Sequence, residues 1–111
     1  MRIRQIRNAT LVVEYAGRKF LVDPMLDAKG SVVGYPGTVN SHLRNPLVDL
    51  PCSIDEILDV DAVIVTHTHP DHWDETARKL IPKTTMLFAQ HAYDEWQIQL
   101  DGFTNTRVLD E

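Results

Sequence analysis

The chain has 111 residues, and a domain of that length buries roughly two thirds of its unfolded surface, so one core is expected. Lys and Arg number 11 against 16 Asp and Glu, a net charge of -5 that argues against nucleic acid as a partner. The single cysteine, Cys52, excludes an internal disulfide and a zinc site built from thiolates. No apolar run reaches membrane-spanning length, and we expect a cytoplasmic protein without a membrane partner.

The N-terminal segment predicts an antiparallel meander of three strands. Three stretches rich in Ile, Val, Leu, Tyr and Phe carry this pattern, namely residues 2–6, 10–15 and 18–22. Ala16 and Gly17 form a plausible tight turn, and Pro24 ends the third strand because it has no N–H to donate. Asp23 therefore lies at a strand end. Two roles stay open for it: a turn-forming residue, or a hydrogen-bond partner of a metal-binding histidine.

Residues 24–51 are rich in glycine and proline and lack a sustained period, which predicts one long loop. Loops longer than roughly 12 to 15 residues in a compact domain are usually functional or disordered. The polar side chains of Asn40, His42 and Arg44 are candidate substrate contacts. The alternative is that they are ordinary solvated loop residues.

The rest of the chain alternates helices and strands. Ser53 and Glu56 form a capping box for a short helix, and Ala62 to Thr66 read as a strand covered on both faces in a parallel sheet. Asp74 can cap a second helix, which Pro82 ends. The apolar face predicted for that helix consists of Ala77, Leu80 and Ile81.

A second parallel strand is predicted at Thr85 to Ala89 and a third at Thr106 to Leu109. Between them, one helix is predicted to bury an apolar face in the core and to end at Gly102. That face consists of Tyr93, Trp96 and Leu100. The predicted fold class is therefore α/β (α+β), an antiparallel meander followed by βαβαβ.

Three of the five histidines lie within six residues directly after the first buried strand. His67 and His69 are two apart, so both can point the same way, and Pro70 turns the chain to bring Asp71 and His72 round. Imidazole nitrogens and a carboxylate suit zinc, and iron or manganese is also compatible. These four residues are the predicted metal ligands. The alternative is a set of polar loop residues with no joint role.

His91 follows the strand Thr85 to Ala89, at the edge of an α/β sheet where binding sites collect. It is a candidate metal ligand or substrate contact. The alternative is a residue that caps the next helix or is simply exposed.

The pattern His67, His69, Asp71, His72 after a buried strand resembles the HxHxDH motif of the metallo-β-lactamase superfamily. Asp23-Pro24 at a strand end, followed by a long loop, also looks like that family's first half, and most like its lactonase-like metal-dependent hydrolases. The resemblance implies an αββα sandwich of which residues 1–111 form one partial domain, the N-terminal half. The family's remaining ligands would come from later sequence, where this chain offers only His91.

The resemblance also implies the chemistry. His67 and His69 would bind a first metal and Asp71 and His72 a second, with Asp71 also orienting a metal-bound hydroxide as a catalytic residue. Two such cations about 3.5 to 4 Å apart lower the pKa of water to near neutrality. The implied function is hydrolysis of an ester, lactone or phosphoester of a small molecule.

Two other functions stay open: a non-catalytic metal-binding or interaction module of the same fold, and a nuclease, which the acidic balance disfavours. Half of a sandwich also leaves one sheet face and one edge uncovered. We therefore expect a homo-oligomer, or a site completed by the missing C-terminal half.

Overall fold

The computed structural model describes residues 1–30, 46 and 48–109 of the chain. Six strands and three helices follow one another in that part. In chain order they are β1 (Arg2–Arg7), β2 (Thr10–Tyr15), β3 (Arg18–Val22), α1 (Ile54–Leu58), β4 (Ala62–Val65), α2 (Glu75–Leu80), β5 (Met86–Ala89), α3 (Ala92–Leu100) and β6 (Thr106–Val108). The predicted meander followed by βαβαβ is therefore confirmed.

The six strands form a single sheet in which each strand pairs with the preceding one, in the order β1-β2-β3-β4-β5-β6. The pairs β1–β2 and β2–β3 are antiparallel. The pairs from β3 to β6 are parallel. The junction between β3 and β4 thus joins the meander to the parallel half.

Local sequence signals account for the turn and the helix ends. Ala16 and Gly17 both have positive φ, 54° and 78°, as the primed hairpin turns require. The Ser53 side chain accepts a hydrogen bond from the backbone N–H of Glu56, as the capping box predicts. Gly102, at φ 99°, follows the end of α3 as predicted.

All three helices lie on one face of the sheet. The core cluster joins Leu21, Val63 and Leu87 of three neighbouring strands to one or more buried residues of each crossover. The helical members are Ile57, Ala77 and Ile98. Crossovers between parallel strands are right-handed, so a sheet that grows in one direction places its helices on the same side.

The opposite sheet face carries a row of apolar side chains that is only half-buried. Val22, Ile64 and Phe88 are in register across β3, β4 and β5, and each is of intermediate exposure. The expectation that β4 is covered on both faces is therefore met only in part. A half-buried apolar row of this kind is available for further packing.

The predicted orientation of α3 is wrong. Tyr93, Trp96 and Leu100 are 65%, 52% and 64% exposed, whereas the buried residues of α3 are Asp94 and Ile98. Helical spacing shows which side chains share a face, but not which face meets the sheet. Leu80, also predicted to lie on a core face, is 46% exposed.

In the part of the chain that the structure describes, every helix is too short or too polar to cross a membrane.

Candidate metal centre

The predicted ligands lie at the carboxyl end of β4, in the middle of the sheet. Asp23 directly follows the neighbouring strand β3, and Thr66 directly follows β4. Because β3 and β4 are parallel, these two residues reach the same sheet edge. Parallel α/β sheets collect their binding sites at this edge.

The structure brings three imidazole rings together. The ring centroid of His67 lies 6.0 Å from that of His69 and 4.8 Å from that of His72. A tight turn closes the segment, since the carbonyl oxygen of His69 accepts the backbone N–H of His72 at 2.9 Å. Asp71 Oδ2 lies 3.6 Å from His72 Nε2. All four predicted ligands are thus in one small region.

Asp23 is the hub of the hydrogen bonds beneath these rings. Asp23 is buried, with only 3% of its surface exposed. Oδ1 accepts the backbone N–H of Thr66 at 2.6 Å, and Oδ2 lies 2.7 Å from Nδ1 of His72. An ionised carboxylate can only accept, so the proton of a neutral His72 is on Nδ1. The lone pair on Nε2 is then free for a metal.

The Thr66 hydroxyl links Asp23 to a second histidine, His67. It donates its one proton to Asp23 Oδ2 at 2.5 Å. Its oxygen can then only accept from Nδ1 of His67, which lies 3.1 Å away. His67 therefore also presents an unprotonated Nε2. Sequence reasoning missed Thr66, although a hydroxyl residue between a buried strand and the first histidine is a usable signal.

The backbone of Asp23 is itself held in place. Its φ is 47°, a left-handed conformation that aspartate tolerates better than most residues. Its N–H donates to the carbonyl of Ile64 at 2.8 Å, and its carbonyl accepts the buried Thr10 hydroxyl at 2.6 Å. The carboxylate is thus aimed at the histidines by contacts to two strands.

A second polar cluster ties the segment after Asp23 to the helix after the histidines. The buried Arg7 guanidinium donates to the carbonyls of Met25 and Asp27, both at 2.7 Å. The Asp27 carboxylate accepts hydrogen bonds from the backbone N–H and the hydroxyl of Thr76. The backbone N–H of Asp27 donates to Asp74 Oδ2 at 2.7 Å. The flank that follows the histidines is therefore anchored to the segment that follows Asp23.

Burial raises the pKa of the Asp74 carboxyl above its ordinary value, although the N–H groups of Ala77 and Asp27 favour its charged form. Asp74 Oδ1 accepts the Ala77 N–H at 2.8 Å, so it caps α2 as predicted.

The remaining candidates are separate from this network. His91 is exposed at the N-cap position of α3 and makes no side-chain capping hydrogen bond. Its role as a ligand or substrate contact stays a prediction. Asn40, His42 and Arg44 lie outside the described residues.

The donors present fit a divalent cation in kind. Two imidazoles with free Nε2 atoms, a third imidazole and a carboxylate are the ligands that zinc prefers, and manganese or iron accept them as well. Within residues 1–30, 46 and 48–109, however, no three such side chains are close enough together to hold an ion. The described residues therefore supply oriented donors rather than a closed coordination sphere.

The chain matches a family model described as a beta-lactamase superfamily domain over residues 2–109. UPF0173 protein YddR from Bacillus subtilis is 54% identical over 110 residues, which cover 98% of this chain and 43% of that protein. N-acyl-phosphatidylethanolamine-hydrolyzing phospholipase D 1 from Caenorhabditis elegans is 32% identical over 74 residues, covering 67% and 19%.

Two crystal structures share the fold. Isothiocyanate hydrolase from Delia radicum gut bacteria superposes with a TM-score of 0.95 at 52% identity, covering 99% of this chain and 42% of that one. A possible metal-dependent hydrolase from Veillonella parvula gives 0.94 at 44% identity, covering 98% and 42%. The chain thus spans about two fifths of the length of the Bacillus subtilis protein and of both proteins of known structure.

Proposed function

This chain belongs to the beta-lactamase superfamily, and we propose that it carries metal ligands and a proton-transfer carboxylate of a hydrolase that acts on small molecules. The resemblance of the chain to that superfamily is confirmed, and so is the fold class. One relative of known structure is described as a possible metal-dependent hydrolase, which supports a metal cofactor.

The observation that carries the proposal is the hydrogen-bond chain from His67 through Thr66 and Asp23 to His72. The chain of hydrogen bonds is satisfied when Thr66 donates to Asp23 and both imidazoles carry their proton on Nδ1. The result is two imidazoles whose Nε2 atoms are free. Burying a carboxylate costs free energy, and this cost is not expected for surface polar residues that have no joint role.

When bound, two divalent cations would lower the pKa of a water molecule and supply hydroxide near neutral pH. We assign His67 and His69 to one cation and Asp71 and His72 to the other. Asp71 would also orient the attacking water and hand a proton to the leaving group. Zinc is the proposed metal, with manganese or iron as substitutes.

The proposed substrates are esters, lactones and phosphoesters, in keeping with a lactonase-like branch of the superfamily. The structural neighbour named isothiocyanate hydrolase adds isothiocyanates to this set. All four classes offer an electrophilic centre to the same hydroxide. We therefore propose a small electrophilic metabolite, rather than nucleic acid, as the substrate.

The active form that we propose is an oligomer. Val22, Ile64 and Phe88 form a half-buried apolar row on the sheet face opposite the helices. A second copy, or the family's second half, could cover this row and supply further ligands.

The test combines metal content with turnover. The purified chain is loaded with zinc, its mass and metal content are measured on one chromatographic peak, and hydrolysis is assayed on an ester, a lactone, a phosphodiester and an isothiocyanate. We expect bound zinc and turnover of at least one substrate, both lost in His69→Ala. Tyr15→Ala, 61% exposed in the β2–β3 turn region, is the control and should retain both.

The results separate the alternatives. A chain that binds no zinc overturns the metal assignment. Zinc bound stoichiometrically without turnover of any of the four substrates overturns the hydrolase and favours the non-catalytic metal-binding module.

A further inference from the structure

We propose that Asp94 is a positioning residue for the histidine segment and acts through Thr68. Thr68 lies between His67 and His69, and its hydroxyl donates to Asp94 Oδ1 at 3.0 Å. Asp94 belongs to α3, a different element from the one that carries the histidines. The inference deepens the proposed function, because it concerns how the same ligands are held.

The burial of Asp94 shows that this contact is more than a surface encounter. The residue is only 8% exposed, whereas the preceding residue, Tyr93, is 65% exposed. Burying a carboxylate is unfavourable unless hydrogen bonds compensate for the lost water. Helix α3 therefore turns an acidic residue inward while its aromatic residues face solvent. The Thr68 hydroxyl supplies a compensating contact.

The sheet fixes the position from which Asp94 reaches Thr68. Strand β5 pairs with β4 up to Val65 and Ala89, and the Gln90 N–H then donates to the carbonyl of Val65 at 3.3 Å. The first turn of α3 follows directly. Asp94 lies in that turn, where the helix dipole favours a negative charge. The dipole of α3 thus favours a negatively charged Asp94 carboxylate next to the end of β4.

Two carboxylates therefore hold the segment at two points. Asp23, from the end of β3, binds Thr66 before the first histidine. Asp94, from α3, binds Thr68 after it. The peptide that carries His67 is therefore anchored on both sides in the absence of a metal. Preorganisation of this kind raises metal affinity because less order is lost on binding.

The experiment measures zinc affinity by competition with a chromophoric chelator in a set of variants of this chain. Thr68→Val removes the donor without changing the shape, and we expect it to weaken zinc binding roughly tenfold. Thr68→Ser restores the hydroxyl and should bind zinc as the wild type does. The double variant of Thr68→Val with Asp94→Ala should be no weaker than Asp94→Ala alone. Asp55→Asn is the matched control, an exposed acidic residue in the first turn of α1, and should change nothing.

A second readout needs neither metal nor activity. Amide hydrogen exchange of the metal-free chain is measured at His72 and Trp73, whose N–H groups both donate to the carbonyl of His69 at 2.9 Å, with β5 as the internal reference. We expect roughly tenfold faster exchange at these two amides in Thr68→Val, and no change in β5.

The two readouts keep the proposal separate from the proposed function. A wild-type chain that binds no zinc overturns the proposed metal site. The exchange rates by themselves then decide whether Asp94 positions the histidine segment. Unchanged exchange at His72 and Trp73, or zinc affinity within twofold of wild type in a folded Thr68→Val, overturns the proposal. A uniform loss of protection over α3 would also overturn it, because it would assign Asp94 to helix docking.

Discussion

Asp23 Oδ2 lies 2.7 Å from His72 Nδ1, although 49 positions separate the two residues along the chain. Of the two roles predicted for Asp23, this contact matches the second: Asp23 is a hydrogen-bond partner of a histidine that is a predicted metal ligand. It also links the end of β3 to the segment that follows β4.

The Asp23 carboxylate should control both zinc affinity and stability. Asp23→Asn can still accept the Thr66 N–H through Oδ1, but the NH2 group that replaces Oδ2 can accept neither from the Thr66 hydroxyl nor from Nδ1 of His72. We expect zinc affinity to fall about 10- to 100-fold and the free energy of unfolding to fall by about 1 to 3 kcal/mol. Chelator competition and urea unfolding measure the two effects.

Asp61→Asn is the matched control, because Asp61 Oδ2 accepts the backbone N–H of Lys19 at 2.8 Å at the opposite end of the same strand pair. It should leave zinc affinity unchanged. Equal zinc affinities in Asp23→Asn and the wild type would show that Asp23 does not orient the metal ligands.

Asp74 should make stability depend on pH. Its folded-state pKa is raised by burial, so the folded chain binds the proton more tightly than the unfolded chain does. The stability that this difference contributes is present below the ordinary pKa of 3.8 and is lost as pH rises through the raised value. Asp74→Asn does not titrate at this position. We expect the stability of the wild type relative to this variant to fall as pH increases from about 3.5 to 7.

The measurement is urea unfolding of both chains across that pH range. A relative stability that rises with pH would mean that the Asp74 pKa is depressed, and that contacts to its charged form outweigh burial.

Self-association should depend on the sheet face opposite the helices. Phe88→Lys places a charge in the half-buried row that also contains Val22 and Ile64. Burying an unpaired charge in an interface costs several kcal/mol, so we expect the dissociation constant of the oligomer to rise at least tenfold. Sedimentation velocity over a concentration series measures this constant.

Trp96→Lys is the comparison, because Trp96 is 52% exposed on the helical side of the sheet. Dissociation by Trp96→Lys and not by Phe88→Lys would move the interface to the exposed stripe of α3. A wild-type chain that is monomeric at every concentration would contradict the oligomer itself.

The β2–β3 turn should be open to stabilisation. Ala16 has φ 54°, which costs a residue with a Cβ roughly 1 kcal/mol. Asparagine tolerates this conformation, and Asn-Gly is a preferred hairpin turn. Ala16→Asn should raise the free energy of unfolding by about 0.5 to 1 kcal/mol, as measured in urea. Ala28→Asn, at an exposed site without positive φ, should have no effect; a gain there as large as at position 16 would refute the turn explanation.

Sequence patterns predicted the strands and helix caps well, because these depend on neighbours along the chain. Ser53 and Asp74 make the capping contacts that their positions predict. The face of α3 was predicted wrongly, because Tyr93, Trp96 and Leu100 share a helical face but the crossover geometry turns Asp94 and Ile98 toward the sheet.

The candidate site shows the same division. Their spacing alone made His67, His69, Asp71 and His72 the candidate ligands, and that assignment stays a prediction. The contacts of Thr66 with Asp23 and of Thr68 with Asp94 could not be predicted from spacing, since each joins residues brought together only by the pairing of distant strands. Asp23 was a candidate because it ends a strand, but its hydrogen bond to His72 needed the register between β3 and β4.

The sequential strand order has a consequence for the order of folding. Every strand pairs with the one made just before it, but β3 ends at Val22 and β4 begins at Ala62, so this pairing closes the longest loop in the sheet. Contacts of large sequence separation form slowly. The hairpins of the meander and the βαβ units can form on their own while Asp23 is still far from His72. The histidines thus gain their orienting carboxylate only when the two halves of the sheet join, and a partly folded chain would lack the hydrogen bond between Asp23 and His72.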